Sequence, residues 1–152
     1  MNSKTLSENR RARFDYEIKE TIEAGIELRG FEAKSAKLGR MGIVGSHIII
    51  KGNEAWLLNS QIPPYQQNNT PKDYNPSRTR RLLLHKNEIA RLLNVLKEKS
   101  LSVIPLRVFL KKGMVKVKLG LGRSRKKSDK RELLKKRAAQ REMRAAGENY
   151  QF

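Results

Sequence analysis

The residues of this chain that could do chemistry are mostly lysines and arginines, and they are most concentrated near the carboxyl end. Residues 123–146 contain eleven Lys or Arg and three Asp or Glu, so they carry +8 of the chain's formal charge of +19. Such a density of cations attracts a polyanion, and nucleic-acid phosphate is the commonest polyanion in a cell. Because the remaining residues still carry +11, we expect positive surface elsewhere on the molecule too.

The same sequence lacks the motifs that catalysis or metal binding usually requires. Its two histidines, His47 and His85, have no partner at a metal-ligand spacing. Cysteine is absent, which excludes disulfides and thiolate metal sites. No nucleophile motif or phosphate-binding glycine loop is present. We therefore predict a binding protein without catalysis, metal or cofactor, and a structural role for His47.

Membrane association is also not expected. No apolar run approaches the ~20 residues that cross a bilayer, and residues 1–13 lack the apolar centre of a signal peptide. The absence of cysteine suits a reducing compartment. We therefore expect a cytoplasmic protein, with no membrane partner, that is a monomer.

Hydrophobic periodicity predicts a mainly β fold. Even-numbered residues from Tyr16 to Leu28 are mostly apolar and odd-numbered ones mostly polar, which is the period of a half-buried strand. We expect Gly25 to form a bulge in that strand. Further strands are predicted at 43–50, 54–59, 81–85, 101–110 and 114–121, and helices at 31–38 and 86–99. Many short strands with two inserted helices and no βαβ alternation favour a small barrel.

We place the folded domain at residues 1–122 and expect two less ordered segments, one at its start and one after its end. Residues 1–13 are polar and predicted to be mobile. Residues 123–152 form a basic tail, in which Asp129 and Glu132 predict a capped helix start and Gly147 predicts its end. Since like charges repel along such a helix, we expect the tail to be disordered alone and helical against phosphate.

The folded domain adds aromatic and basic groups that could bind nucleic acid. Residues 59–81 form a long connection with four of the five prolines, and such loops are usually functional or mobile. The candidates are Tyr16, Tyr65, Tyr74, Arg78, Arg80 and Arg81. Glu23 could accept hydrogen bonds from base edges or 2′-hydroxyls. RNA is favoured over DNA, because no DNA-reading motif is visible.

Other classes remain open at this point. A structural ribosomal protein, or another protein that binds ribosomal RNA, would share the charge, the small barrel and the basic extension. A DNA-compacting protein and a nuclease are further alternatives.

Several motifs resemble one family. The segments Asn9–Tyr16 (NRRARFDY), Glu20–Ile26 (ETIEAGI) and Pro76–Lys86 (PSRTRRLLLHK) are similar to those of small protein B, the bacterial partner of transfer-messenger RNA in trans-translation. Lys116–Gly120 (KVKLG) and the later Asp129-Lys130-Arg131 complete the likeness in the family's order. The resemblance covers about residues 9–145.

This resemblance implies a closed barrel of the oligonucleotide-binding type, with two to three helices, that grips the tRNA-like domain of transfer-messenger RNA. The residues implied to contact that RNA are Asn9, Arg10, Tyr16, Glu23, Gly25, Leu83, His85, Lys116 and Lys118. The tail is implied to enter the decoding centre of small-subunit rRNA and the empty mRNA channel of a stalled ribosome. Its implied contact residues are Arg125, Lys126, Lys127, Asp129, Lys130 and Arg131. Barrel and tail together would replace the anticodon stem that this RNA lacks.

Overall fold

In the part of the chain that the structure describes, seven antiparallel strands form one curved sheet. The computed structural model describes residues 3–149 and the side chains of residues 3–145. The strands are β1 (Ser3–Glu8), β2 (Tyr16–Ile26), β3 (His47–Lys51), β4 (Glu54–Leu58), β5 (Arg80–Leu83), β6 (Ser102–Lys111) and β7 (Met114–Ser124). Their order across the sheet is β1-β6-β7-β2-β5-β4-β3. The predicted mainly β fold is confirmed.

Four α-helices accompany the sheet: α1 (Ala12–Asp15), α2 (Gly30–Lys37), α3 (Lys86–Lys97) and α4 (Lys127–Asn149). Helix α3 begins after His85, whose backbone N–H donates to the Glu88 carboxylate at 2.9 Å, so the predicted start of this helix is confirmed. Its Leu92 and Val95 are buried in the core, whereas Leu93 and Leu96 are each 37% exposed. A single 3₁₀ turn at Gln67–Asn69 interrupts the long connection before β5.

The prediction of a closed barrel is wrong, because the sheet stays open between its two edge strands, β1 and β3. Each of the two edges of β6 is already paired, one with β1 and the other with β7. Strand β3 approaches β6 but cannot join its ladder, and α3 packs against both. Side chains of α3, rather than backbone hydrogen bonds, therefore cover the opening.

From Thr21 onward the alternation of β2 sorts its side chains between core and surface as predicted. Ala24 and Ile26 are buried in the main core, next to Val117 and Leu119 of β7. The odd-numbered residues Thr21, Glu23 and Gly25 face outward. Tyr16 and Ile18 lie before the irregularity and pack on a second cluster with Ala12, Ile104 and Leu106. Gly25 is not a bulge, since it pairs directly with Leu83 of β5 and Lys116 of β7. The irregularity of β2 lies between Ile18 and Glu20, where the strand bends.

The chain ends also differ from expectation. The prediction of a mobile segment at 1–13 is wrong for the described part, because residues 3–8 form β1 on the edge of β6. Strand β7 continues to Ser124, two residues beyond the predicted domain boundary. Helix α4 starts at Lys127 and continues through Gly147, so both predicted ends of the helix are wrong. The reason at the start is that Asp129 accepts from the Lys126 N–H at 3.3 Å and so lies inside the first turn.

Candidate RNA interface

The outer face of three neighbouring strands, β5, β2 and β7, brings together five of the predicted RNA-binding residues. Glu23 pairs with Lys118, and Gly25 pairs with Lys116 on one side and Leu83 on the other. Paired residues of antiparallel strands project to the same face. The outward positions of this face therefore combine two lysines, one carboxylate and one apolar side chain, and we call these five residues the strand face.

Glu23 is held in its ionised form on this face. Its carboxylate accepts a hydrogen bond from Lys111 Nζ at 3.1 Å. That bond lowers the pKa of Glu23 against the opposing effect of burial, and the charges of Lys111, Lys118 and Lys116 lower it further. Because the side chain is still 38% exposed, it retains lone pairs for an external donor.

Leu83 forms one side of the strand face, and His85 follows it along the chain at the start of α3. Leu83 is 44% exposed, and with Gly25 and Met114 it lines a shallow depression. A Cβ added at Gly25 would lie 3.1 Å from Leu83 Cβ, so glycine keeps this depression open. The side chain of His85 is exposed at the start of α3.

The other predicted RNA-binding residues lie at the opposite end of β2. Tyr16 and Glu23 are seven positions apart, which corresponds to roughly 20 Å along a strand. Asn9 is buried, and its side-chain amide donates to the Pro105 carbonyl at 3.1 Å. Arg10 is exposed beside Glu8. The structure thus divides the predicted RNA-binding residues into two groups. In the second group, the side-chain amide of Asn9 is already hydrogen-bonded to the protein itself.

The predicted ribosome-contacting residues form the turn before α4 and its first turns, next to the second group. The Arg125 N–H donates to the Asp15 carbonyl at 2.8 Å, and Lys130 Nζ lies 3.1 Å from Asp15 Oδ1. Asp129 accepts the backbone bond described above. The three remaining residues are exposed: Lys126, Lys127 and Arg131.

Three residues of the long loop that the sequence suggested for RNA binding are structural. Arg80 is fully buried and binds the equally buried Glu32, with Nη2 and Oε2 2.6 Å apart. Arg78 also binds Glu32, and the Tyr74 hydroxyl lies 3.0 Å from the same carboxylate while its ring packs edge-on against Phe31. This cluster of Glu32, Tyr74, Arg78 and Arg80 anchors the connection before β5.

The electrostatics of this cluster follow from its geometry. Burial alone would raise the pKa of Glu32, but hydrogen bonds from Arg78, the Arg29 backbone and Arg80 outweigh it and lower the pKa to about 2. The carboxylate is therefore ionised at neutral pH and binds both guanidinium groups, and its single negative charge offsets one of the two positive charges. Arg81 differs, since its exposed side chain lies 3.3 Å from Glu54 on the outer face.

Residues of β6 on the same face were missed. Arg107 pairs with Lys118 and Phe109 with Lys116, and the Arg107 guanidinium lies 4.6 Å from the centre of the fully buried Phe109 ring. Lys111, which binds Glu23, belongs to the same strand. The apolar run in β6 shows no alternation, so only its register against β7 reveals which side chains face outward.

Two general features of residues 3–149 bear on the class of site. No three His, Asp or Glu side chains lie together in an arrangement that could hold a metal ion. None of the helices in this part of the chain is long and apolar enough to span a membrane.

An open antiparallel sheet with lysines on its outer face, followed by a basic helix, defines the class: a small, strongly basic β protein. Comparison with known proteins identifies the family. The model of the SmpB protein family matches residues 6–149, and the chain belongs to this family, as its motifs predicted.

Relatives and a solved structure agree with that assignment. The chain is 43% identical to the SsrA-binding protein of Nostoc sp., over 97% of this chain and 95% of the relative. It is 46% identical to the SsrA-binding protein of Synechococcus elongatus, over 94% and 93%. A solved structure described as "tmRNA-SmpB: a journey to the center of the bacterial ribosome" matches with a TM-score of 0.65 and 42% identity. That match covers 84% of this chain and 92% of the other.

Proposed function

We propose that this protein is an RNA-binding adaptor that holds the tRNA-like domain of transfer-messenger RNA and delivers it to stalled ribosomes for trans-translation. The observation that carries the proposal is the strand face, where Glu23, Lys116 and Lys118 lie on paired strands. Family membership supports it, because relatives of this chain are SsrA-binding proteins and the solved neighbour is described with transfer-messenger RNA and the bacterial ribosome.

The strand face suits a folded RNA better than a uniform polyanion. Lys116 and Lys118 attract phosphate, as any basic surface does. Glu23 repels misplaced phosphate and accepts hydrogen bonds from base edges or 2′-hydroxyls, which gives selectivity. Leu83 supplies an apolar contact beside a depression that Gly25 keeps open. The curved sheet acts as an oligonucleotide-binding-type platform, although its ladder is open.

The tail has a second task in this proposal. Lys126, Lys127 and Arg131 are exposed cations that would meet rRNA phosphate in the decoding centre. An mRNA still in the channel would exclude them by steric overlap and would compete for the same cationic contacts. Residues 123–152 therefore bind only when the mRNA channel is empty, while residues 1–122 bind the RNA. A protein that acts on stalled bacterial ribosomes in this way works in the cytoplasm.

The test is a titration of the purified full chain at physiological salt, with the tRNA-like domain of transfer-messenger RNA and an equally long fragment of ribosomal RNA as competitors. Because shape and the Glu23 acceptor both contribute, we expect the tRNA-like domain to bind at least about tenfold more tightly. Equal affinity for the two RNAs would overturn the proposal.

A further inference from the structure

Strand β5 and the residue after it contain three consecutive leucines, so hydrophobicity does little to determine the register of the strand. Leu82 is 2% exposed and Leu83 is 44% exposed, while Leu84 is partly buried against the core. A shift of one residue turns every side chain of a strand to the other face. Because a leucine is followed by another leucine, such a shift could still bury a leucine in the core.

The backbone ladder of β5 is also short. Against β2 it comprises two pairs, Gly25 with Leu83 and Ile26 with Leu82, and against β4 it comprises three. Backbone hydrogen bonds form whichever side chain a residue carries, so they hold this strand without selecting its register. The selection must come from side chains outside the leucine run.

The arginines that precede the leucines provide this selection. Arg78 and Arg80 flank the exposed Thr79, and both bind the carboxylate of Glu32 in α2. Arg78 Nε donates to Glu32 Oε2 at 3.0 Å, and Arg80 Nε donates to the same oxygen at 2.9 Å. The Glu32 side chain is fully buried. One buried carboxylate thus requires cations at two positions that are two residues apart.

One of the two possible shifts of β5 is excluded by charge. If each residue took the position of the next, Arg81 would occupy the buried position of Leu82. Thr79 would replace Arg80 beside Glu32. This register would place an unpaired cation in the core and would remove the buried partner of the carboxylate, and both changes are costly.

The opposite shift is opposed mainly by one contact of the Glu32 cluster. If each residue took the position of the one before it, leucines would again fill both paired leucine positions. Arg81 would replace Arg80 and keep the buried ion pair. Thr79, however, would replace Arg78, and the two hydrogen bonds from Arg78 to Glu32 would be lost.

The start of α3 also opposes this shift, but less strongly. The His85 N–H donates to the Glu88 carboxylate at 2.9 Å, and the shift would draw His85 out of this capping position. A cap at an exposed helix start contributes less than charge-assisted hydrogen bonds to a buried carboxylate. The contact of Arg78 with Glu32 is therefore the stronger of the two.

We propose that Arg78 is a positioning residue, which fixes the register of β5 through Glu32 and thereby determines which side chains reach the RNA. In the observed register Arg81, Leu83 and His85 are exposed. A shift by one residue would exchange an arginine for a leucine on this face and turn His85 away from it. The inference rests on the proposed function only for this effect on RNA binding, because the register exists in the free protein.

The first experiment makes the two registers equivalent at Glu32 by changing an exposed residue. In Thr79→Arg, the shifted register would again bring two arginines to Glu32, at positions 79 and 81. Cross-strand nuclear Overhauser contacts of the free protein report the register, since Gly25 pairs with residue 83 in the observed register and would pair with residue 84 in the shifted one. We expect a second set of β5 signals, with the two populations within about tenfold of each other, because the helix cap is the main remaining difference.

Arg81→Thr provides the rescue. Added to Thr79→Arg, it leaves the shifted register with a single cation at Glu32, so the observed register should return alone. Asn68→Arg, an exposed change in the same connection, is the control for added charge and should give one register. A single register in Thr79→Arg, or two registers that Arg81→Thr does not reduce to one, would overturn the role of Arg78.

Arg78→Met tests the same contact by removing it. Glu32 keeps its buried ion pair with Arg80 in this variant, so we expect the protein to fold, and the melting temperature checks this. Both registers then offer one cation to Glu32, so two sets of β5 signals should appear, and Arg81→Thr should again leave one. A merely stabilising Arg78 would lower the melting temperature without a second register, which would contradict the proposal.

The effect on RNA is measured separately, by titration with the tRNA-like domain of transfer-messenger RNA. Because the observed register is the one that binds, the apparent affinity of Thr79→Arg should fall, relative to Asn68→Arg, by the same factor as the population of that register. Equal affinities of these two variants while two registers coexist would refute the positioning role. Failure of the unchanged chain to prefer this RNA over ribosomal RNA would count against the proposed function instead, and the register measurement would be unaffected.

Discussion

At the scale of single residues, the most tightly held group is Glu32. Its fully buried carboxylate balances Arg80, which is also fully buried, and Arg78. A buried charge that loses its partner is far more costly than an exposed one. The cluster therefore matters to stability even though it is remote from the strand face, and it fixes the path of the loop that leads into β5.

Glu32→Gln should lower the free energy of unfolding by about 3–5 kcal/mol, because Arg80 would remain buried without a counter-charge. Chemical denaturation measures this. Glu54→Gln is the control, since Glu54 forms a surface pair with Arg81 at 3.3 Å that contributes at most about 1 kcal/mol. If both substitutions lowered the free energy of unfolding equally, Glu32 would not be the buried charge and Glu54 the exposed one that the structure assigns.

The same carboxylate predicts a pH dependence. The pKa of Glu32 falls from 4.5 to about 2 on folding, so its contribution to stability is fully present above 4.5. It is lost as pH falls from there toward about 2, because the unfolded state takes up the proton first. Unfolding free energies of the unchanged chain and Glu32→Gln, measured from neutral pH to about pH 3, should converge as pH falls. A constant difference would count against this linkage.

Glu23→Lys should weaken binding of the tRNA-like domain by about tenfold, while binding of unrelated RNA becomes tighter. The substitution removes an oriented acceptor and places a fourth cation beside Lys111, Lys116 and Lys118, the three cations that lower the pKa of Glu23. Parallel titrations with the two RNAs measure the ratio of the two binding affinities. Glu98→Lys, at the exposed end of α3, is the control for added charge alone. Tighter binding of the tRNA-like domain by Glu23→Lys would show that Glu23 is not an acceptor for it.

At the scale of secondary-structure elements, β2 and β7 approach each other closely at Gly122. A Cβ added at Gly122 would lie 2.0 Å from the Glu17 carbonyl oxygen and 2.8 Å from its carbon. These are backbone atoms near the irregularity of β2, so they cannot move aside as a flexible side chain would. The two strands can approach this closely only because residue 122 is glycine.

Gly122→Ala should therefore destabilise the fold by about 3 kcal/mol or more, at the upper end of overpacking costs. Gly42→Ala is the matched control, because a Cβ there would have Gln61 Cβ as its nearest neighbour, at 3.9 Å. Thermal unfolding of the two variants gives the comparison. If the Gly122→Ala protein had the same melting temperature as the unchanged chain, β2 and β7 would be able to separate at this point.

The elements that sequence patterns predicted are those with strong local periodicity. Strand β2 and helix α3 have clear apolar faces, and the turn at Gly52-Asn53 joins β3 and β4 as expected. Strand β1 was missed because its residues are mostly polar and it is held by backbone pairing with β6. The open sheet could not be predicted either, since it depends on β1, not β3, occupying the free edge of β6.

The candidate site was predictable to a similar extent. The alternation of Lys116 and Lys118 with buried residues placed both on the outer face, and the family motifs added Glu23 and Leu83. The burial of Arg80 could not be predicted, because the sequence does not reveal that α2 brings Glu32 to it. The contact of Lys130 with Asp15 likewise depends on the packing of α1. No periodic pattern in the sequence predicts that packing.

At the scale of the whole molecule, the two groups of predicted residues correspond to two tasks. The strand face lies roughly 20 Å along β2 from Tyr16, where the second group and the start of α4 are found. Separation lets one surface hold a folded RNA while the basic helix reaches a different partner. The expectation that the tail loses its helix away from the ribosome stays a prediction, as does the monomeric state.

One measurement tests this division of tasks most directly: the RNA affinity and tagging activity of a chain that ends at Lys126. That end keeps the whole of β7 and the Arg125 contact with Asp15, so the strand face should be undisturbed. We predict that binding of the tRNA-like domain stays within about threefold of the full chain, whereas peptide tagging on stalled ribosomes is lost. Tagging by the shortened chain would contradict the account.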